Sequence, residues 1–453
     1  MNAEIVSRTK REGYIQNSSL ILLAFSSAFF SRLLETVGFP SIINFLHFAI
    51  VPLAVGIVLL NSKTKNRYQI ATTWTLLSGL AILLGVMLVS ALVNKAGLIN
   101  VVLDFLLLGE PFLLLVAVIS IPMSIKRWER LETWLIRFGF INIFLSYLQQ
   151  YIIVPYFRQY LRTGLSGADL VQGVFFISGG GNTLAGGISM FFSAYYFQKA
   201  NDVPLWQRVM VLLASLWQVI FSDTKQVILV FLIAWSILSL IKIKNIRKVL
   251  MSVIGIVLLV SMIIWGAENL EAFRAFKTYL SPEVLNPSND TTQIKLLPLS
   301  MIPSYYQSSL NWLFGLGPGH TVGRLGQGML SKYDSLFTPL GATYSPIGSA
   351  VWDKFALLAG GNGTSSISTV FSPFWGWAGI WGDLGFVGLG AYLYLGYLVW
   401  SRLWGDDFAQ FLLLNVLIFG FMSTQLEEPG FMLYIAIMVG LRWQEKRLEN
   451  YKS

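Results

Sequence analysis

The chain contains no cysteine and only two histidines among its 453 residues. The absence of cysteine excludes disulfides and thiol chemistry. Charged residues are scarce too, at 12% of the chain against 55% hydrophobic residues, whereas soluble globular domains carry about a quarter charged residues. This composition excludes an ordinary soluble enzyme and predicts a protein that crosses a membrane many times.

Several chemical motifs are also missing from the sequence. There is no glycine-rich nucleotide fingerprint, no Asp-x-Asp pair in an external loop and no His/Glu cluster with the spacing of metal ligands. Scattered carboxylates such as Glu268 and Asp353 leave metal binding formally open. The sequence therefore predicts a function that needs no cofactor and no metal. No short apolar core with a small-residue cleavage site begins the chain, so we expect no cleaved signal peptide.

What the chain does contain is a series of long apolar runs. Each run is near the length needed to cross a hydrocarbon core of ~30 Å. They predict an all-α polytopic membrane protein with about twelve transmembrane helices. The predicted spans lie near residues 18–37, 40–60, 70–93, 98–121, 132–155, 171–198, 206–221, 224–241, 248–265, 373–400, 408–424 and 430–441.

The formal net charge of +9 follows the predicted membrane topology. Basic clusters fall at alternate junctions between spans, as the positive-inside rule expects for cytoplasmic loops. Both termini are then cytoplasmic, and the charge does not indicate a nucleic-acid partner. The clusters are Arg8/Lys10/Arg11, Lys63/Lys65/Arg67, Lys126/Arg127/Arg130, Lys199/Arg208, Lys242/Lys244/Arg247/Lys248, Arg402 and Arg442/Lys446/Arg447.

One long polar and aromatic segment interrupts the apolar pattern between the ninth and tenth predicted spans. The predicted organisation is helices 1–9 over residues 1–267, a large external (periplasmic) loop subdomain over 268–371, and helices 10–12 with a cytoplasmic tail over 372–453. A membrane protein with one large loop on one side is expected to work there.

Cationic side chains are frequent on the predicted external side. Guanidinium groups bind phosphate oxygens in a planar fork, and lysine provides a point charge. Such a set suits a pyrophosphate-linked lipid, although each residue alone is equally an ordinary surface charge. The predicted pyrophosphate-binding residues are Arg158, Arg162, Lys225 and Arg274, with Arg324 as a catalytic residue that stabilises developing negative charge.

The run Gly315–His320, called here the glycine turn, ends in one of the two histidines. Glycines let the backbone approach a ligand closely, and an imidazole takes a proton near neutral pH. His320 is therefore a candidate catalytic base, or else a loop histidine that caps a turn. Four aromatic residues are candidates for stacking on sugars, although interfacial aromatics are usual in membrane proteins. They are Trp312, Tyr305, Tyr306 and Trp352.

Ionisable residues also occur inside predicted spans, where they are costly and often functional. Structural roles are favoured for them here. Arg32 and Glu35 are expected to pair at the interface, and His47 is expected to be packed or hydrogen-bonded within its span. The others are Asp104, Glu110, Arg137 and Asp383.

In layout, the chain resembles the O-antigen polymerase and ligase superfamily of bacterial membrane glycosyltransferases. The resemblance rests on order and topology over most of the chain, and the spacing of Arg162 and Gly173 fits it as well. The segments that carry it are Val89-Ser90-Ala91-Leu92 with Asn94, Gly181-Asn182-Thr183-Leu184-Ala185, Ser222-Asp223-Thr224-Lys225, Trp312–Gly319 and Gly379–Gly388.

The resemblance implies polymerisation of polyprenyl-pyrophosphate-linked glycan repeats at the outer face of the bacterial plasma membrane, without metal. It also implies external arginines that hold the pyrophosphate, and a flippase and a chain-length regulator as partners besides the bilayer. Two departures are evident. Lys225 stands where the family has arginine, and the ligases' histidine position is occupied by Ser365-Ser366-Ile367-Ser368. The second departure favours polymerase over ligase. Two further hypotheses stay open, namely a transporter of lipid-linked sugars and a non-catalytic scaffold.

Overall fold

The structure is a computed structural model. It describes residues 17–62, 64–161, 165, 167–242, 246–270, 273, 276–277, 282, 286, 289–358 and 372–449. Two of the predicted phosphate-binding residues, Arg162 and Arg274, lie outside the described residues, as does the Ser365–Ser368 segment.

All regular secondary structure of the described residues is helical. The first helices are α1 Asn17–Phe29, α2 Ser31–Thr36, α3 Leu46–Asn61, α4 Arg67–Asn94, α5 Leu98–Ser120, α6 Ile125–Leu148, α7 Val154–Phe157, α8 Gly181–Lys199, α9 Leu205–Phe221, α10 Gln226–Ile241 and α11 Ile246–Asn269. The remaining helices are α12 Asp290–Met301, α13 Leu310–Phe314, α14 Leu330–Lys332, α15 Asp334–Phe337, α16 Ile347–Leu358, α17 Trp375–Arg402, α18 Asp407–Phe419 and α19 Pro429–Glu449.

Five helical segments among the described residues are long and apolar enough to cross a membrane, so the chain is a helical membrane protein. They are Ser41–Asn61, Arg67–Asn94, Leu98–Ser120, Ile125–Tyr160 and Trp375–Arg402. Shorter apolar helices are Asn17–Phe29, Leu205–Phe221, Gln226–Ile241, Val253–Asn269 and Asp407–Phe419.

The α-helical part of the sixth predicted span is shorter than its apolar run. The prediction placed its start at residue 171, whereas α8 begins at Gly181. The preceding backbone takes positive φ at Gly173 (+54°), Ile177 (+56°) and Gly180 (+71°), values that no right-handed helix contains. The apolar run there forms short 3₁₀ turns, which pack against α6 and α8.

The predicted external segment shares its cores with the helix bundle. In one cluster, Ile302, Val322 and Val351 pack with Trp375 and Trp381 of α17. In a second, Leu325, Leu330 and Phe337 pack with Leu103 and Leu107 of α5. The described part of residues 268–371 is therefore continuous with the bundle.

Helices α4 and α17 lie side by side and antiparallel. At one end the Tyr68 hydroxyl lies 3.5 Å from the Arg402 carbonyl, and at the other the Ser90 hydroxyl donates to the Asp383 carbonyl at 2.8 Å. The part of α17 from Asp383 to Arg402 is about 30 Å long at ~1.5 Å per residue, which matches a hydrocarbon core of ~30 Å. With Arg402 placed at one membrane boundary, we expect Asp383 near the other, at the end where the glycine turn lies.

Candidate functional site

The glycine turn packs on a kink in α17. Gly385 has φ +67° inside that helix, so the carbonyls one turn earlier lose their helical partners. The backbone N–H of Leu316 donates to the Gly382 carbonyl at 2.8 Å, and that of Gly317 donates to the Asp383 carbonyl at 3.0 Å. The two chains approach so closely that a Cβ on Gly315 would lie 2.4 Å from the Asp383 backbone. Glycine is therefore required at this crossing.

The Asp383 carboxylate holds the other side of the turn. Its Oδ1 accepts hydrogen bonds from the Thr321 backbone at 2.7 Å and hydroxyl at 2.6 Å, and its Oδ2 accepts one from the Gly319 backbone at 2.9 Å. This carboxylate is buried. Buried polar groups are costly unless they are hydrogen-bonded, and here the carboxylate and the turn satisfy each other.

Asparagine amides complete the hydrogen bonds of the turn. Asn94 and Asn311 both donate to the Gly315 carbonyl, at 3.1 and 2.9 Å. Asn100 donates to the Pro318 carbonyl at 3.0 Å. The turn is therefore fixed by side chains from α4, α5 and α13, and irregular backbone near a membrane requires such partners.

His320 has both ring nitrogens engaged. Nδ1 lies 2.9 Å from the Leu316 carbonyl, which only accepts hydrogen bonds, so Nδ1 carries the proton of the neutral ring. Nε2 then accepts from the Thr343 hydroxyl at 2.8 Å. Burial lowers the pKa of His320. The predicted catalytic base therefore holds the turn together in this structure.

A second buried carboxyl group, Glu427, lies beside Asp383. Glu427 Oε2 accepts the Arg324 backbone N–H at 2.5 Å. Its Oε1 would lie 3.1 Å from a Cβ on Gly323 and 3.4 Å from one on Gly379, so two glycines make room for it. Burial, followed by the negative charge of Asp383, raises the pKa of Glu427 to about 8.

Asp104 of α5 faces the same two carboxyl groups within electrostatic range. Its Oδ2 is buried and has no hydrogen-bond partner among the described residues. The three carboxyls lie on α5, α17 and the 3₁₀ turn Thr424–Glu427. Among the described residues, no group of three or more His, Cys, Asp or Glu side chains has the arrangement of a metal site.

Arg324 lies next to these carboxyls, and Arg32 lies within electrostatic range of Arg324. We call Arg32 and Arg324 the arginine pair. The Arg324 guanidinium forms an ion pair with Glu428. Arg32 forms one with Glu35, with Nη1 and Oε2 separated by 3.0 Å, and Asn44 also donates to that oxygen at 2.7 Å. The side chains of Arg32 and Arg324 are 16% and 25% exposed, respectively, so both are mostly buried but reach the surface.

The two arginines interact electrostatically with each other. Burial, and after it the positive charge of Arg32, lowers the pKa of Arg324 to about 9, which leaves it charged at neutral pH. The neighbouring backbone agrees with this proximity, because a Cβ on Gly430, two residues after Glu428, would lie 3.3 Å from the Ala28 carbonyl at the end of α1. Arg32 and Arg324 are therefore within electrostatic range of each other, and each is paired with a glutamate.

Two other predicted phosphate-binding residues lie elsewhere. Lys225 immediately precedes α10 and pairs with Asp223 at 2.7 Å. Arg158 is exposed and contacts the Leu165 carbonyl at 3.4 Å. No hydrogen bond or ion pair of the described residues joins either of them to Arg324.

The predicted sugar-stacking aromatics separate into groups. Tyr306 and Trp312 form an edge contact with ring centroids 5.0 Å apart, and Trp312 also stacks on Phe386 at 6.2 Å. Tyr305 packs against the cluster around Ile302. Trp352 contacts Phe355 at 5.3 Å and Trp375 at 6.1 Å, which is a different ring group.

Sequence reasoning gave Arg32 and Asp383 structural roles and assigned no role to Glu427 and Glu428. The sequence nevertheless contained a pattern that groups these residues with Arg324. Arg32 and the two glutamates all occupy predicted external ends of spans, the same side as Arg324. Within the bundle, His47 Nδ1 pairs with Glu110 at 2.8 Å, and both side chains are buried, which agrees with the hydrogen-bonded role expected for His47.

No protein-family model matches the chain, and no curated protein matches it either. Its function is therefore inferred from the residues and their geometry.

Proposed function

We propose that the chain is a membrane glycosyltransferase that polymerises lipid-pyrophosphate-linked oligosaccharide repeats at the outer face of the bacterial plasma membrane. The arginine pair is the observation that carries the proposal. Two partly exposed guanidinium groups within electrostatic range of each other suit the two phosphates of a polyprenyl-pyrophosphate donor. The pyrophosphate of such a lipid emerges at the membrane boundary.

The proposed topology has about twelve spans, with both termini cytoplasmic and the glycine turn outside. The distribution of basic residues supports this orientation. It brings the arginine pair to the outer face, where a lipid-linked repeat unit meets the growing chain.

The proposed reaction is a single displacement. An acceptor hydroxyl attacks the anomeric carbon of the donor, and the bond from that carbon to the pyrophosphate oxygen breaks. Polyprenyl pyrophosphate leaves with the bonding electrons, and the hydroxyl proton passes to a carboxylate. Arg32 and Arg324 neutralise the charge that develops on the leaving group, which is commonly the largest contribution to such catalysis.

We assign the base to Glu428 and a positioning role to His320. Glu428 is released when the donor phosphate replaces it on Arg324, because both compete for the same guanidinium. His320 accepts a proton at Nε2 only after Thr343 moves away. Asp383 and Glu427 hold the backbone on either side of Arg324.

Purified protein in lipid nanodiscs, supplied with a polyprenyl-pyrophosphate oligosaccharide, tests the arginine pair. We expect Arg324→Ala and Arg32→Ala each to lower polymer formation by about 100-fold or more, the usual effect of removing one preorganised charge donor. Arg127→Ala removes the same charge on the predicted cytoplasmic side and is the control. Unchanged polymer in Arg324→Ala would contradict the proposal.

The choice of base is tested by His320→Asn against Glu428→Gln. Loss of a general base lowers turnover by about 10²–10⁴-fold. We expect such a loss for Glu428→Gln and a decrease of less than about tenfold for His320→Asn. The opposite ranking would return the role of base to His320.

Ligase-type transfer to another acceptor is the closest alternative. Deleting the gene distinguishes the two reactions. Loss of long surface chains, with single repeats still attached, indicates a polymerase. Long chains that stay on the lipid carrier indicate a ligase.

A transporter of lipid-linked sugars is the second candidate, and the buried His47–Glu110 pair favours it. Ionisable pairs inside membranes are common in proton-coupled transport. Nanodiscs have no second compartment and hold no gradient, so polymer made there excludes a requirement for transport. Activity only in sealed vesicles with a proton gradient would favour the transporter.

A further inference from the structure

Helix α13 exposes a continuous apolar face. Leu310, Trp312 and Leu313 are 47%, 44% and 46% exposed, respectively. The helix contains no charged residue, and its one polar side chain, Asn311, is buried. Exposure of this face to water is unfavourable, because the free energy falls when apolar surface is removed from water.

Contacts on both sides extend this face over two candidate spans. The Trp312 ring stacks on Phe386 of α17, with centroids 6.2 Å apart and planes inclined by 11°. Asn311 donates to the Asn94 side chain at the end of α4 at 2.8 Å. Phe386 is 54% exposed and Leu92, in the last turn of α4, is 81% exposed. These five apolar residues, Leu92, Leu310, Trp312, Leu313 and Phe386, are called here the α13 patch.

The depth of the α13 patch follows from α17. With Arg402 at one membrane boundary, we expect Asp383 near the other, and Phe386 lies three residues further along α17, in the segment that reaches Arg402. Leu92 lies at the corresponding end of α4. The patch is therefore continuous with the surface of two helices that are long and apolar enough to face lipid.

We propose that α13 is seated in the bilayer, at the boundary between hydrocarbon and headgroups of the leaflet at the glycine-turn end. Its partner is the lipid itself. A tryptophan with an apolar ring and one N–H donor is suited to that boundary. Trp312, which the sequence suggested as a sugar-binding residue, is then a membrane anchor. This inference does not depend on the proposed function.

The seated helix also shields the glycine turn. Irregular backbone at membrane depth persists only where protein covers its polar groups. Phe314 leads directly into Gly315, and Asn311 donates to the Gly315 carbonyl at 2.9 Å. In the proposed placement, helix α13 thus lies between the turn and the lipid.

The absence of native cysteine permits a direct test with single-cysteine variants carrying a nitroxide spin label. Leu313→Cys reports on α13. Ile82→Cys, in the middle of α4 and 49% exposed, is the lipid-facing control, and Ser335→Cys, beside the exposed Asp334, is the aqueous control. Collisions with oxygen, which concentrates in the bilayer, are compared with collisions with a water-soluble nickel chelate in nanodiscs. We expect Leu313→Cys, like Ile82→Cys, to favour oxygen over the nickel chelate.

Access of the nickel chelate to Leu313→Cys equal to that of Ser335→Cys would overturn the inference. Protection from both reagents would also overturn it, since it would mean that protein covers the patch. Leu310→Cys is the second reporter on the same face and keeps the test decisive if Leu313→Cys does not fold.

Discussion

Among single residues, Glu427 shows most clearly how burial sets the chemistry of the candidate site. Its carboxyl group is 2% exposed, and its nearest charged neighbours are Asp383, Arg324 and Asp104. Because the Arg324 guanidinium is paired with Glu428, its positive charge offsets only part of the cost of burying a negative charge on Glu427. It therefore retains its proton at a pH where an exposed glutamate has long lost it.

This proton makes stability depend on pH with a definite sign. The folded protein holds it up to a pKa of about 8, and the unfolded chain releases it near 4.5. The unfolding free energy contributed by Glu427 is thus fully present below that lower value and is lost as pH rises through about 8. We expect the thermal midpoint of the wild type to fall more steeply with pH than that of Glu427→Gln. The corresponding difference in the unfolding free energy is at most about 1.4 kcal/mol per pH unit.

The measurement is thermal unfolding of both proteins in nanodiscs between pH 5 and 9. His320 and Lys295, whose pKa values burial lowers, titrate in both proteins and cancel in the difference. The difference therefore reports Glu427 together with the neighbouring Asp383 carboxyl that interacts with it. Parallel curves for the two proteins would show that Glu427 is ionised throughout.

Among the helices, α17 contains both a long apolar segment and, before its kink, backbone carbonyls that bind the glycine turn. The helix is kinked at Gly385 (φ +67°), and the carbonyls that lose their helical partners there accept hydrogen bonds from the glycine turn. A Cβ on Gly385 would lie 2.3 Å from the Leu313 backbone. The kink therefore fixes both the turn and α13, which precedes it.

Gly385→Ala tests the role of the kink. A non-glycine residue in the left-handed region costs about 1–2 kcal/mol, and the backbone clash adds to this. We expect a loss of at least about 2 kcal/mol, measured as a decrease in the thermal midpoint. Gly390→Ala in the same helix meets nothing within 4 Å and is expected to be neutral or to stabilise by up to about 1 kcal/mol. Equal midpoints for the two variants would contradict a strained, closely packed kink.

For the whole molecule, the shared cores join the large polar segment to the bundle. Leu325 is fully buried against Leu103 and Leu107 of α5, and Val322 lies with Trp381 of α17. The segment and the bundle are therefore expected to unfold together, and the position of the segment relative to the membrane follows from that of the spans.

The predicted orientation is tested with a membrane-impermeant thiol reagent on intact cells. Ser335→Cys lies in the predicted external segment and Asp202→Cys in a predicted cytoplasmic loop, and both positions are exposed. We expect labelling of Ser335→Cys alone, with Asp202→Cys labelled only after the cells are opened. Labelling of Asp202→Cys alone would invert the orientation.

The helical class and the approximate positions of the helices could be predicted from the amino-acid sequence. Apolar runs such as Leu98–Ser120 are local, and a backbone surrounded by hydrocarbon must pair with itself, so a long apolar run specifies a helix without reference to the rest of the chain. The glycines of the turn were equally evident as positions of close backbone approach.

The contacts between residues that are distant in sequence are seen only in the tertiary structure. Arg324 and Glu427 are separated by 103 positions, and no local pattern relates Arg32 to either of them. The tertiary structure also shows that His320 bonds Leu316 and Thr343, and that Trp312 stacks on Phe386 beside an exposed apolar face. Charge, burial and exposure depend on neighbours brought from distant elements, so the arginine pair and the α13 patch became evident only in the folded chain.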